Sequence, residues 1–320
     1  MNILMMGTPD FAVPILHALM KKAPELGARV VGVVSQPDRP KGRKQELTPT
    51  PLKVAALEYG LPVLQPQKVK TEDSIQAIRD LAPDLIVTAA YGQLLPPALL
   101  EIPSKGCINV HASLLPKYRG GAPIHWSIIR GEKETGVTLM HMARGLDTGD
   151  MIVRRIVPIS SLDTCGSMFD RLKEAGALLI HEHLQSLLDG TAPRTEQDHT
   201  KATHAPNITR ADEQMNWSKS ALELDCQVRG MNPWPVAFTR LNGNVLKVWE
   251  SSPEGNDLNG SLIPGSIVAV DARGIGVACG SGVLWLKMVQ PSGKKAMSAT
   301  DFARGNRIES GTCFEYGELE

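Results

Sequence analysis

No apolar run in this chain approaches the roughly 18 residues that a membrane helix needs, so a membrane-spanning role is not expected. Cysteine is scarce: five in 320 residues, at positions 107, 165, 226, 279 and 313. An odd, scattered set with no Cys-x-x-Cys argues against a disulfide framework and points to a reducing compartment, the cytoplasm. The first seven residues are too short and too uncharged for a signal peptide and read as a strand. Net charge is absent as well, with 34 basic and 34 acidic side chains. That removes the overall basic field of many nucleic-acid binders, so any RNA contact has to be local. Gly7 stands alone after the first apolar run, where a dinucleotide fingerprint needs three glycines. No acid ends the second run either, so a nicotinamide or flavin role is not expected. His181-Glu182-His183 invites a metal reading. Residues two apart on a helix project about 200° apart, so the two imidazoles cannot share an ion.

What is present is the organisation of two domains, the default for a chain this long. In the first half, apolar strands are expected at 3–6, 29–35, 62–64, 85–89 and 106–111. Between them lie helical patterns reaching to about residue 22 and over 50–59 and 73–81. Thr8, Pro9 and Asp10 read as an N-cap, a first helical proline and an early acid. Residues 121–130 look helical, 136–159 read as strands split by a Gly-rich loop at 145–150, and 165–188 form a long helix stopped by Gly190. This alternation predicts a doubly wound, mostly parallel, Rossmann-like α/β sheet. Residues 191–206 are polar, with two prolines and no period, and read as a linker. From Ile208 the pattern changes to short alternating strands at 237–241, 245–250, 265–270, 274–279 and 283–288. Gly and Pro turns between them predict a small antiparallel β-barrel of the OB-like type. The expected division is a first domain at 1–190, a linker at 191–206 and a barrel domain at 207–320.

The chemistry concentrates in Cys107-Ile108-Asn109-Val110-His111-Ala112-Ser113-Leu114-Leu115-Pro116 and in Gly145-Leu146-Asp147-Thr148-Gly149-Asp150. In a strand, Asn109 and His111 project to one side. A strand ending in such a pair, followed by a turn, is where open α/β sheets place their sites. Asn can donate to an oxygen that is becoming negative, and His can move protons near neutral pH. Asp147, on a separate loop, is the natural carboxylate to orient that His. An isolated Asn or His at a strand end is most often a structural hydrogen-bonder, and the three residue types together fit many chemistries. Residues 36–53 form a second feature, five basic and two acidic side chains in a Pro/Gly-punctuated loop. Loops this long are usually functional, and a local charge of +3 suits phosphate contacts. Pro233-Trp234-Pro235 reads as a packing anchor, stiff in backbone and large in ring.

The longer string narrows the chemistry. Asn109-x-His111-x-Ser113-Leu114-Leu115-Pro116, then Lys117-Tyr118-Arg119-Gly120 and the later Asp147, resembles the folate-dependent formyltransferases. Members of that family act on glycinamide ribonucleotide, methionyl-tRNA or UDP-aminoarabinose. Gly7-Thr8-Pro9-Asp10-Phe11, Ala90-Tyr91-Gly92-Gln93 and Asn232-Pro233-Trp234-Pro235 extend the likeness over nearly the whole chain. The loop Gln36-Pro37-Asp38-Arg39-Pro40-Lys41-Gly42-Arg43 is similar to one that enters the acceptor arm in the methionyl-tRNA branch.

The resemblance implies transfer of the formyl group of 10-formyltetrahydrofolate to the α-amine of methionyl initiator tRNA by a metal-free monomer. Asn109, His111 and Asp147 are then the expected catalytic residues. The pterin is expected against residues 91–95 and 113–116, with Gln93, Leu95, Ser113, Leu114, Leu115 and Pro116 as contacts, mainly through backbone groups. Arg43, Lys41 and Lys44 are the expected tRNA contacts, joined by the barrel domain. Cys107 is expected to be packing. The turn after the strand is expected to hold a cis Leu115–Pro116 bond, since an X-Pro bond is where cis costs only about 0.5–1 kcal/mol. Two other classes remain open. A sugar-nucleotide formyltransferase would share the three residues, though the basic loop argues against it. A non-catalytic RNA-binding protein would not require them.

Overall fold

A computed structural model of the chain describes residues 1–42, 45–255 and 262–317. Contacts divide it into two compact units. One comprises Met1–Pro123, Glu134–Pro158 and Phe169–Pro206, the other Ile124–Lys133, Ile159–Met168 and Asn207–Glu320. Among the described residues no helix is long and apolar enough to cross a membrane.

In the first unit, β1 (Asn2–Gly7) leads to α1 (Val13–Lys22), and β2 (Arg29–Val34) to a small hairpin of β3 (Arg39–Lys41) and β4 (Glu46–Thr48). Next come α2 (Pro51–Glu58), β5 (Val63–Leu64), α3 (Glu72–Asp80), β6 (Leu85–Ala89), α4 (Pro97–Leu100) and β7 (Cys107–His111). After α5 (Pro123–Ile129), which but for Pro123 belongs to the second unit, follow β8 (Glu134–His141), β9 (Met151–Pro158) and the long α6 (Cys165–Asp189), whose start also belongs to the second unit. One seven-stranded sheet results, in the order β5-β2-β1-β6-β7-β8-β9. The first five strands run parallel, and β8 and β9 are antiparallel additions at one edge.

The continuous apolar runs are explained by burial on both faces. Leu4, Met6, Val34, Ile86 and Cys107 from neighbouring strands pack with Ile78 of α3 and Leu99 of α4. Each such aliphatic side chain contributes about 1.5–3 kcal/mol when fully buried. The chain winds from β1 to β2 on one side and returns to β6 on the other. The carboxyl ends of β1, β6 and β7 therefore open at the switch in strand order, where such sheets form a crevice.

Three local expectations need adjustment. Thr8 does not cap a helix: a short 3-10 turn at Asp10–Ala12 precedes α1, and Pro9 occupies the cap position. The Thr8 hydroxyl donates to the Tyr91 carbonyl instead, at 2.9 Å. Within the segment read as a loop, β3 and β4 pair as a hairpin, with Arg39 opposite Thr48. Arg43 and Lys44 lie outside the described residues, and only the backbone of Lys41 is described, at the end of β3. Residues 191–206 belong to the first unit, where Thr195 exchanges backbone hydrogen bonds with Met151.

The second unit holds α7 (Arg210–Glu213), α8 (Ala221–Gly230), β10 (Phe238–Leu241), β11 (Asn244–Glu254), β12 (Ile267–Asp271), β13 (Gly274–Ala278), β14 (Val283–Pro291), β15 (Met297–Ser298) and α9 (Ala299–Asn306). Its strands pair antiparallel in the order β10-β11-β14-β13-β12, with β15 on β14. Helix α8 precedes the expected strands, in a stretch to which the pattern assigns no element of its own. It is set by a capping box, in which Ser220 and Glu223 satisfy each other's backbone N–H groups. Leu224 and Val228 of α8 pack under the sheet with Trp217, Leu246, Val277 and Leu286.

Candidate active site

The register of β6, β7 and β8 builds the centre of the site. Asn109 lies opposite Thr88 of β6 in a parallel pair, and His111 lies opposite Thr138 of β8. The Thr88 hydroxyl, which is buried, donates to Asn109 Oδ1 at 2.8 Å. A hydroxyl could serve either end of the amide, so the carboxylate decides: the donating Nδ2 faces Asp147 Oδ1, 3.5 Å away, where an amide oxygen would meet a second acceptor. His111 Nε2 is 2.9 Å from the Tyr118 carbonyl, which can only accept, so Nε2 carries a hydrogen. His111 Nδ1 faces Asp147 Oδ2 at 3.7 Å, beyond direct hydrogen-bond length. Both ring nitrogens thus face acceptors. A doubly protonated ring satisfies both contacts, and a neutral ring satisfies one.

Asp147 reaches this position from an unusual backbone, with φ of 53°. Asp tolerates the left-handed region better than most residues. Its Oδ2 accepts from the Gly120 N–H at 2.8 Å. Gly149 closes the loop where no larger residue fits, since a Cβ there would sit 1.9 Å from the His141 carbonyl oxygen. The three residues expected to act together are therefore brought together, on β7 and on one loop that bonds the turn at 118–120.

The residues expected to meet a pterin are placed differently from one another. The bond between Leu115 and Pro116 is cis. Ser113 is buried and donates its hydroxyl to the Lys117 carbonyl at 2.7 Å. The Leu115 side chain is also buried; its N–H bonds Thr138 and its carbonyl accepts from Arg154. Leu114 and Pro116 are half-exposed in the same turn. Gln93 turns its amide inward, accepting from Val69 N–H at 2.8 Å, and Leu95 sits in the core. The side chains of Ser113, Leu115, Gln93 and Leu95 thus hold the loops in shape. Leu94 and Leu146, beside Gln93 and Asp147, are the exposed apolar side chains on these loops, 71% and 51% accessible. An exposed Leu next to a polar cluster suits a planar heteroaromatic ring. The Tyr91 carbonyl is held by Thr8 and also by Gln36 Nε2 at 3.2 Å, while the buried Tyr91 hydroxyl has no hydrogen-bond partner among the described residues. Burial raises the Tyr91 hydroxyl to about 12.

Several supporting residues gave no usable sequence signal. Thr88 and Thr138 act through strand register, which a single sequence does not reveal. Thr138 Oγ1 donates to the Ser113 carbonyl at 2.6 Å and accepts from Leu115 N–H. Gln197, in the segment read as a linker, bonds the loop of Asp147. Cys107 is buried, and burial pushes its thiol up to about 12, far from nucleophilic use. The root of the basic loop is tied down: Lys53 donates to Asp38 at 2.5 Å, and Gln65 donates to both Asp38 and the Gln36 carbonyl. In the second unit a cavity of about 1240 Å³ is lined by Trp126 and Trp249 with Lys133, Lys219 and Lys287.

Comparison with known proteins fits this geometry. The formyl transferase family profile matches residues 1–184, and that of the formyl transferase C-terminal domain matches residues 207–307. The chain is 52% identical over 311 residues to the methionyl-tRNA formyltransferase of Bacillus subtilis (strain 168), covering 97% of this chain and 96% of that one. Identity to the methionyl-tRNA formyltransferase of Bacillus licheniformis is also 52%, with the same coverage. Among solved structures, the sugar 3N-formyl transferase WlaRD, obtained with dTDP and 5-N-formyl-THF, is similar with a TM-score of 0.64. It is 19% identical and spans 92% of this chain and 99% of its own.

Proposed function

The chain belongs to the formyl transferase family, and from that premise we propose that it moves the formyl group of 10-formyltetrahydrofolate to the α-amine of methionine esterified to initiator tRNA. The products are tetrahydrofolate and formylmethionyl-tRNA. The observation that carries the reading is the meeting of Asn109, His111 and Asp147 at the open end of β7, with contacts of 3.5 and 3.7 Å.

The neutral amine is the nucleophile, so no covalent enzyme intermediate is required. A bond forms from that nitrogen to the formyl carbon, the bond from that carbon to N10 breaks, and one proton passes from the amine to N10. Asn109 supports the first change: with its oxygen committed to Thr88, one Nδ2 hydrogen is available for the formyl oxygen as that atom gains negative charge. A donor aimed in this way is worth about 3 kcal/mol. His111 serves the proton. Its Nε2–H is committed to Tyr118, so Nδ1, on the Asp147 side, is the nitrogen that gives or takes it. Asp147 holds the charge that forms on the ring. The formyl donor packs on the exposed Leu94 and Leu146 and bonds backbone groups of the loops at 91–95 and 113–116.

For tRNA we assign the basic loop, with Arg39, Lys41, Arg43 and Lys44, and the second unit, which is the domain from residue 207 onward together with residues 124–133 and 159–168. Lys133, Lys219 and Lys287, which have no ion-pair partner among the described residues, and the indoles of Trp126 and Trp249 suit phosphates and bases. The working protein is a cytoplasmic monomer in this reading. The test offers the purified protein 10-formyltetrahydrofolate with either charged initiator tRNA or an amino-sugar nucleotide. Formylmethionine equal to the tetrahydrofolate released, with no formylated sugar, is the expected result. Formylation of the sugar nucleotide without formylation of the tRNA would overturn it.

A further inference from the structure

Gln197 lies 50 residues beyond Asp147, in a stretch with no helical or strand period, yet it is only 3% accessible. All of its hydrogen-bonding capacity is spent. Oε1 accepts from Arg119 Nε at 3.1 Å and Nη2 at 2.6 Å. Nε2 donates to the Asp147 carbonyl at 2.9 Å and to the Gly149 carbonyl at 2.7 Å. A flipped amide would set its oxygen against two carbonyls and its NH₂ against a guanidinium, so the orientation is fixed by its neighbours. Arg119 is itself buried, and its Nη2 also donates to His199 Nδ1 at 3.0 Å.

The two sides that Gln197 joins are the two sides of the His111–Asp147 contact. On one side stands the turn at 118–120, whose Tyr118 carbonyl holds His111 Nε2 and whose Gly120 N–H holds Asp147 Oδ2. On the other stands the loop that carries Asp147 in its left-handed conformation. The segment around Gln197 is anchored on both flanks. Thr195 pairs with Met151, Arg119 N–H donates to the Thr203 carbonyl at 2.9 Å, and Ala205 N–H donates to the Arg119 carbonyl at 2.7 Å. Gln197 cannot move with one loop and leave the other.

We infer that Gln197 is a positioning residue, a cross-link between Arg119 and the Asp147 loop that sets the distance from Asp147 to His111. The inference rests on the reading of Asn109, His111 and Asp147 as the reacting groups. Geometry governs its size, since about 1 Å of misplacement can cost about 100-fold in rate.

Gln197→Glu is the first variant, because it keeps a partner for Arg119 while turning an ionised oxygen toward the Asp147 and Gly149 carbonyls. Gln197→Leu removes both sides. The expected result is a fall in kcat of about 10- to 100-fold for each, with KM for both substrates within about threefold. Circular dichroism and formyl-folate binding establish that the variants are folded. The deciding measurement is a double-mutant cycle with Asp147→Asn: once Asp147 no longer carries its charge, Gln197→Glu should have little further effect on kcat. The same fold-loss in both backgrounds, or a loss expressed only in melting temperature, would overturn the positioning role. Asp147→Asn with wild-type turnover would overturn the site reading, and this inference with it. An inactive Asp147→Asn beside an additive Gln197→Glu would remove this inference alone.

Discussion

Asn109 offers the sharpest test of the chemistry, because the structure separates its oxygen from its nitrogen. Asn109→Ala removes the donor and leaves the Thr88 hydroxyl without its acceptor. That hydroxyl has another within reach, the Ile108 carbonyl at 3.2 Å, so no buried donor is stranded. The stability cost should be about 1 kcal/mol, which for a chain of this size is about 2–4 °C in melting temperature. The catalytic cost should be that of one oxyanion donor, about 2.7–4 kcal/mol or about 100- to 1000-fold in kcat. Asn109→Asp is isosteric and should be worse. Its second carboxylate oxygen would stand where Nδ2 lies now, 3.5 Å from Asp147 Oδ1. Two ionised carboxylates at that distance repel by about 5 kcal/mol at an effective dielectric of about 20. Single-turnover formyl transfer to charged initiator tRNA, with circular dichroism melts on the same samples, measures both quantities. If Asn109→Ala keeps turnover within about fivefold of wild type, or Asn109→Asp outperforms it, Asn109 does not face the developing charge.

Four further outcomes are expected. In the native protein at neutral pH, only Cys313 of the five thiols should react with a disulfide reagent, because the other four are buried and burial suppresses their ionisation; a count of one fast thiol checks this. Tyr91→Phe deletes a buried hydroxyl that has no partner among the described residues, so the melting temperature should hold or rise with turnover unchanged. His125 is held below the ordinary imidazole value by burial, so the unfolded chain takes up the proton first. Its contribution to stability is present above about pH 6.5 and is lost as pH falls, by at most about 1.4 kcal/mol per pH unit. His125→Gln should flatten that part of the melting profile. Arg43→Ala should lower kcat/KM for tRNA by about tenfold at low salt and leave formyl-folate binding alone; wild-type tRNA kinetics would take the loop out of the reaction.

The legible parts of this protein are those written locally. Apolar runs and period-3.6 patterns mark β1, β2, β5 to β9 and α6, and the i, i+2 spacing of Asn109 and His111 places both on one side of a strand. What stayed hidden depends on partners far apart in the chain. Thr88 reads as one more β-branched residue until its register opposite Asn109 is known. Gln197 and Arg119 read as ordinary polar residues because nothing local tells of their meeting. The direction of the Gln93 amide is equally invisible, since composition does not say whether a loop side chain faces a ligand or its own scaffold. Helix α8 was readable in principle from Ser220 and Glu223, a signal overridden by the many short strands that follow.

The shared carbonyl of Tyr91 carries a consequence for how the molecule can vary. One oxygen receives both Thr8, from the loop after β1, and Gln36, from the first residue of the basic segment. Two residues later Asp38 is fastened by Lys53 and Gln65. Strands β3 and β4 therefore hang from a rigid root, while the loop after β6 is braced by the Tyr91 carbonyl. Such an arrangement makes the hairpin a separable module. Its length and charge can be exchanged, by evolution or by an engineer redirecting the enzyme to another amine, without disturbing the loops at 91–95 and 113–116.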